Sequence, residues 1–113
     1  MFRLQKNMQT MKMHFLIYDV IGAGVGIIES VPAAVSIAYY TQDPNKCCLM
    51  CANLGGDTDT IGAMATAICG AFVGYSKINP EYTELLRVQN PETDFEEYIN
   101  ILEKGRELLG CGR

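Results

Sequence analysis

The stretch NLGGDTDTIGAMA sets two carboxylates, Asp57 and Asp59, one residue apart, with the hydroxyl of Thr60 immediately after them. Three oxygen ligands on one turn suit a hard cation. Mg²⁺ is the natural candidate, because it takes oxygens at about 2.0–2.1 Å, keeps several waters and so needs few protein ligands. Gly55 and Gly56, just before the acids, let backbone approach a ligand where a Cβ would clash. The plain alternative is helix capping, since Asp or Thr ahead of an apolar run commonly starts a helix and an acid there is favoured by the dipole. One acid is enough for a cap, and a second repels it. An aspartyl-phosphate site fails on context, because its acids close a buried strand and MCANLGG has no β-branched run. The glycines of IGAGVG hint at a dinucleotide turn, but no βαβ unit supports one.

Helices have to position these groups. From Thr58 to about Tyr75 the pattern is helical: Gly62, Thr66, Gly70 and Gly74 fall four apart, Ala63, Ala67 and Ala71 form the adjacent row, and Ile61, Met64, Ile68, Phe72 and Tyr75 occupy the other side. Such a helix is apolar nearly all round and is predicted to run through the middle of a core. Interior glycines cost roughly 1 kcal/mol each relative to Ala, so close helix packing is expected to account for them. Asp59 and a length just short of about 20 residues argue against a membrane span. Upstream, Gly22, Gly24 and Gly26 suit a turn that feeds a helix over ESVPAAVSIAYY, with Pro32 tolerated in its first turn. Asp43 and Pro44 restart the chain as N-cap and first helical residue of a short apolar helix ending near Asn53. SKINPEY reads as a connector. PETDFEEYINILEKGRELL closes the chain as a surface helix with Phe95, Tyr98, Ile99, Leu102 and Leu109 on one side, and MFRLQKNMQTMKMHF has no sustained period.

The 113 residues suffice for one small domain. The formal net charge is −4 with no basic stripe, which excludes a phosphate-tracking surface and hence nucleic acid as a partner. Arg3, Lys6 and Lys12 precede an apolar stretch, but Asp19 interrupts it and no cleavage site follows, so the chain reads as cytoplasmic. Five cysteines, three of them in CCLMC, are too unevenly spread for a disulfide framework. Cys47 and Cys51 share a helix face as two metal ligands could, yet no second cluster exists and the single His14 is distant in sequence. Packing as small hydrophobes is the expected role.

GAGVGIIESVPAAVSIAYY followed by NLGGDTDTIGAMATAICGAFVGYSKI resembles the C-terminal part of the ADP-ribosylglycohydrolase family, the group that includes dinitrogenase-reductase-activating glycohydrolases and ADP-ribosylserine hydrolases. The likeness runs from about Ile21 to about Pro80. It implies an all-α fold, two Mg²⁺ ions about 3.5–4 Å apart, and hydrolysis of the bond between ADP-ribose and a protein side chain. By the same resemblance Asp57, Asp59 and Thr60 match the C-terminal metal ligands, with Asp59 bridging both ions and the two acids serving catalysis. Ala23, Gly24 and Val25 match a segment near the adenosine, Ala23 standing where some relatives carry Asn; Gly55 and Gly56 also fall to the substrate side. Glu29 and Ser30 belong to the matching ESVP segment, with a structural role in capping the helix and joining it to the metal-bearing one.

Family members are much longer, and their remaining metal ligands, a Glu and a Thr-Asp-Asp stretch, come from an N-terminal half that has no counterpart here. About half of the metal shell is expected in this chain, and Met1 is expected to mark a truncated, split or misannotated start. A single partial domain of this kind is expected to form a homo-oligomer or to pair with a companion N-terminal half. The competing expectation is a non-catalytic remnant that oligomerises or binds metal or nucleotide weakly.

Overall fold

Among the described residues, 2–110 of the computed structural model, every regular element is helical. The all-α expectation holds. α1 (Phe2–Phe15) runs directly into a π-helical turn, Leu16–Ile21, which ends at Gly22 with its N–H on the Ile17 carbonyl at 2.8 Å. α2 (Ile27–Thr41) follows the glycine turn, α3 (Pro44–Ala52) starts on Asp43, and α4 (Thr58–Val73) follows Gly55 and Gly56. A 3₁₀ turn, Tyr75–Lys77, leads to α5 (Pro80–Gln89) and α6 (Phe95–Leu108). None of the helices is long and apolar enough to cross a membrane among the described residues.

Local chemistry accounts for three of the starts. Asp43 accepts from the Asn45 N–H at 2.9 Å, Asn79 from Glu81 at 3.0 Å and Asp94 from Glu97 at 3.0 Å, each satisfying an amide that the first turn leaves free. α2 differs from expectation. It begins two residues before Glu29, with Gly26 as N-cap and no side-chain cap, so Pro32 lies inside the helix rather than in its first turn. The N–H that Pro32 lacks would have served the carbonyl of Ile28, an exposed residue to which water has access.

The chain divides into two compact units, Met1–Ile78 and Asn79–Arg113. In the first, the π turn, α2, α3 and α4 close around Ile17, Ile37, Leu54 and Ile61, all at most 1% exposed. Cys47, Cys51 and Cys69 fill the space between α2, α3 and α4 as buried small groups, the role expected of them; Cys48 is exposed and Cys111 lies outside the described residues. Cys69 Sγ also lies 3.6 Å from the Ala38 carbonyl. In the second unit, no described residue of α5 or α6 is fully buried, and Arg87 pairs with Glu96 at 3.2 Å.

α4 corrects the picture of a helix enclosed on every side. It buries one stripe, Ile61, Ala65 and Cys69, against α2 and α3, while Ala63, Ala67, Ile68, Ala71 and Phe72 stay exposed, Phe72 at 71%. The reason is geometric: at 100° per residue a stripe four apart covers one side only. Its glycines likewise divide. At Gly62 a Cβ would meet the Cys51 Cβ at 3.4 Å, so this position faces α3 closely. Gly70 faces open space, and Gly74, at φ +88, ends the helix rather than packing it.

Candidate functional site

Two glycine-bearing turns, far apart in sequence, are clipped together beside the paired acids. The Asp57 N–H donates to the Ala23 carbonyl at 2.7 Å, tying the turn before α4 to the turn before α2. Gly56 sits at φ +68 against that same carbonyl, where a Cβ would collide with it. Only a residue without a side chain allows this approach. Ala23 is thereby buried, Gly24 is half-buried, and Val25 projects at 83% exposure.

Asp57 occupies the N-cap position of α4 and makes no side-chain cap bond, unlike Asp43, Asn79 and Asp94. Its carboxyl instead stands beside that of Asp59 on the same turn. That proximity, then the N–H groups of Thr60 and of Asp59 itself, hold the Asp59 carboxyl below its ordinary value. Asp57 is half-buried, whereas Asp59 and Thr60 are exposed on the same turn. Two carboxyl groups on one turn with a side open to solvent fit a hard oxygen-seeking cation that keeps waters, and Asp57 leaves the capping alternative without its side-chain bond, although the Asp59 carboxyl meets N–H groups of the first turn. Among the described residues no third His, Cys, Asp or Glu joins them in a group able to hold a metal ion. This holds for Cys47 and Cys51 as well.

Glu29 is not a cap. Its carboxylate folds back against Gly22 and Gly24, filling the space that side chains there would take, while Ser30 is buried on the packed side of α2. The expected capping role is therefore corrected to one of filling the glycine turn. Tyr18, on the π turn, escaped the sequence reading: a Cβ on Gly55 would stand 3.1 Å from its ring, and the ring stacks on His14 with centroids 6.1 Å apart. His14 in turn hydrogen-bonds the Asn53 carbonyl through Nε2 at 3.1 Å. Nothing local in LIYDVI marks a π turn, so Tyr18 gave no signal.

The model of the ADP-ribosylglycohydrolase family matches residues 2–109. The chain is 52% identical over 92 residues to the uncharacterized protein YegU of Escherichia coli (strain K12), covering 80% of this chain and 27% of that protein. It is 33% identical over 69 residues to the human ADP-ribosylhydrolase ARH3, covering 51% of this chain and 19% of that one. With the ADP-ribosylarginine hydrolase Tri1 of Serratia proteamaculans (strain 568) the identity is 32% over 82 residues, 61% of this chain and 22% of the relative. This chain thus spans about a quarter or less of the length of these curated relatives. No solved structure gives a significant match.

Proposed function

We propose, since the chain belongs to the ADP-ribosylglycohydrolase family, that it carries the C-terminal metal-binding segment of a Mg²⁺-dependent hydrolase that releases ADP-ribose from a protein side chain. The observation that carries this reading is the placement of two carboxyl groups on one turn, Asp57 at the N-cap without a side-chain cap bond and Asp59 exposed two residues on. Asp57, Asp59 and Thr60 would hold the cations, two in the complete site. When bound, such ions orient the ribose hydroxyls, polarise the anomeric centre and acidify a water. The acids themselves can accept that water's proton, and the clip from Asp57 to Ala23, which sets the turn Ala23–Val25 with Gly55 and Gly56 beside the acids, supports assigning these residues to the nucleotide. Two carboxylates are about half a ligand shell, so turnover requires a further segment carrying the rest.

A second reading, a module that binds metal or nucleotide without catalysis, draws on the absence of a third acidic or imidazole ligand among the described residues. Calorimetry of the purified chain with Mg²⁺ and ADP-ribose, beside Asp59→Ala, separates the two. Hydrolysis of an ADP-ribosylated peptide that disappears in Asp59→Ala selects the enzyme. Metal or nucleotide binding that Asp59→Ala abolishes, with no hydrolysis even when the chain is completed, selects the module. A chain that binds Mg²⁺ no better than Asp59→Ala refutes the metal assignment altogether.

A further inference from the structure

We infer that the outer face of α2 is the seat of another polypeptide segment, equivalent to the part of the longer relatives that lies outside their match to this chain. The inference rests on the reading above that the chain is completed by such a segment. α2 has one charged residue in fifteen, Glu29, and its carboxylate is turned back onto Gly22 and Gly24. Ser30, Ala33, Ala34, Ile37 and Ala38 face the core. On the opposite side, at helical spacing, lie Ile28, Val31, Pro32, Val35 and Tyr39, with Ile28 85%, Val35 52% and Tyr39 79% exposed.

A helix apolar on both sides is a helix made to be covered on both. Isolated exposed aliphatics are ordinary, but five neighbouring positions on one side, interrupted only by Ser36 and without a charge, form the contiguous kind of patch that marks an interface. Covering it strands no charged side chain, because the stripe contains none.

Two observations choose the occupant. In the Escherichia coli relative the matching residues make up 27% of the protein, so at 52% identity the same stretch there sits beside a chain nearly three times as long again. That remainder is available to lie on α2. A second copy of this chain is the poorer fit: each copy carries a net charge of −4, and a partner copy supplies only the same two acids rather than new ligands for the site.

The test is a chimera of the full-length Escherichia coli relative in which the matched 92 residues are replaced by those of this chain, compared with the 113-residue chain itself. Val35→Glu and Tyr39→Glu are placed in both. Because these side chains face solvent in the chain alone, its helicity and melting temperature are expected to stay unchanged by either substitution. In the chimera each is expected to lower the melting temperature by about 5–10 °C, as a charge forced into a covered apolar seat does. A chimera that tolerates both, or one that fails to fold before either is introduced, overturns the inference. So does a tight homodimer of the 113-residue chain that Val35→Glu dissociates, since a second copy would then own the face. All readouts are of folding and association, so a chimera that melts as expected but hydrolyses nothing defeats the proposed activity and leaves the docking face intact.

Discussion

Gly56→Ala tests whether the clip between the two turns organises the site. Gly56 holds φ +68, in the left-handed region, where a residue with a Cβ costs roughly 1–2 kcal/mol. The added methyl would also run into the Ala23 carbonyl and stand 3.1 Å from the Ala23 Cβ, so the turn has to shift. That shift stretches the 2.7 Å bond from the Asp57 N–H, whose net contribution is about 0.5–1.5 kcal/mol. Together the losses come to roughly 2–3 kcal/mol, which for a chain of this size lowers the melting temperature by about 10–20 °C. Thermal unfolding followed by far-UV circular dichroism measures it. Gly105→Ala in α6 is the control: a Cβ there meets nothing within 4 Å, and the change is expected to be neutral or to stabilise by up to about 1 kcal/mol. The same Gly56→Ala protein should bind Mg²⁺ more weakly, because Asp57 moves away from Asp59. If its melting temperature falls no further than that of the control, the contact with Ala23 is incidental and the two turns do not form one site.

Further outcomes follow from the same geometry. Asp43→Ala removes a cap bond of 2.9 Å and should cost about 1 kcal/mol in urea denaturation, whereas Asp57→Ala removes no cap bond and should cost distinctly less; equal losses would restore the capping role of Asp57. Ile61→Ala empties a site with no exposure and should destabilise by about 2–5 kcal/mol, while Phe72→Ala, on the open side of α4, should change the stability of this chain by about 0.5 kcal/mol or less. Alkylation with iodoacetamide, read by peptide mass spectrometry, should modify exposed Cys48 before the buried thiols. The neighbouring Cys51 thiol, together with burial, holds Cys47 far above the ordinary thiol range, so it should remain unmodified at mildly alkaline pH until the chain unfolds. Early labelling of Cys47 would contradict the packing of α3 on α4.

Where chemistry is local, the residues announce the structure. Asp43 with Pro44 signals cap and first turn together, and α3 begins there. Asn79 with Pro80 carries the same signal, yet α5 is not among the helices predicted from the sequence: only its first three residues fall in the connector SKINPEY, and TELLRVQ has no assignment there. The π turn left no trace in advance, since its distinction from an α-helix lies in hydrogen bonding and not in side-chain spacing. α4 was recognised as a helix but assigned a burial it does not have: its residues are apolar on several sides, and only the positions of α2 and α3 determine that Ile61, Ala65 and Cys69 are the stripe enclosed.

The residue order by itself determined that this chain is helical, where α3 is capped, and that Asp57 and Asp59 form an oxygen-rich pair at the head of a small-residue helix. These follow from propensity, capping chemistry and side-chain type, which act over a few residues. Only the tertiary structure decided that Asp57 forgoes its cap, that its amide reaches Ala23, and that Glu29 folds into the glycine turn. Each joins groups whose meeting depends on how separate helices pack, and packing is set by the whole surface they bury and not by any spacing along the chain.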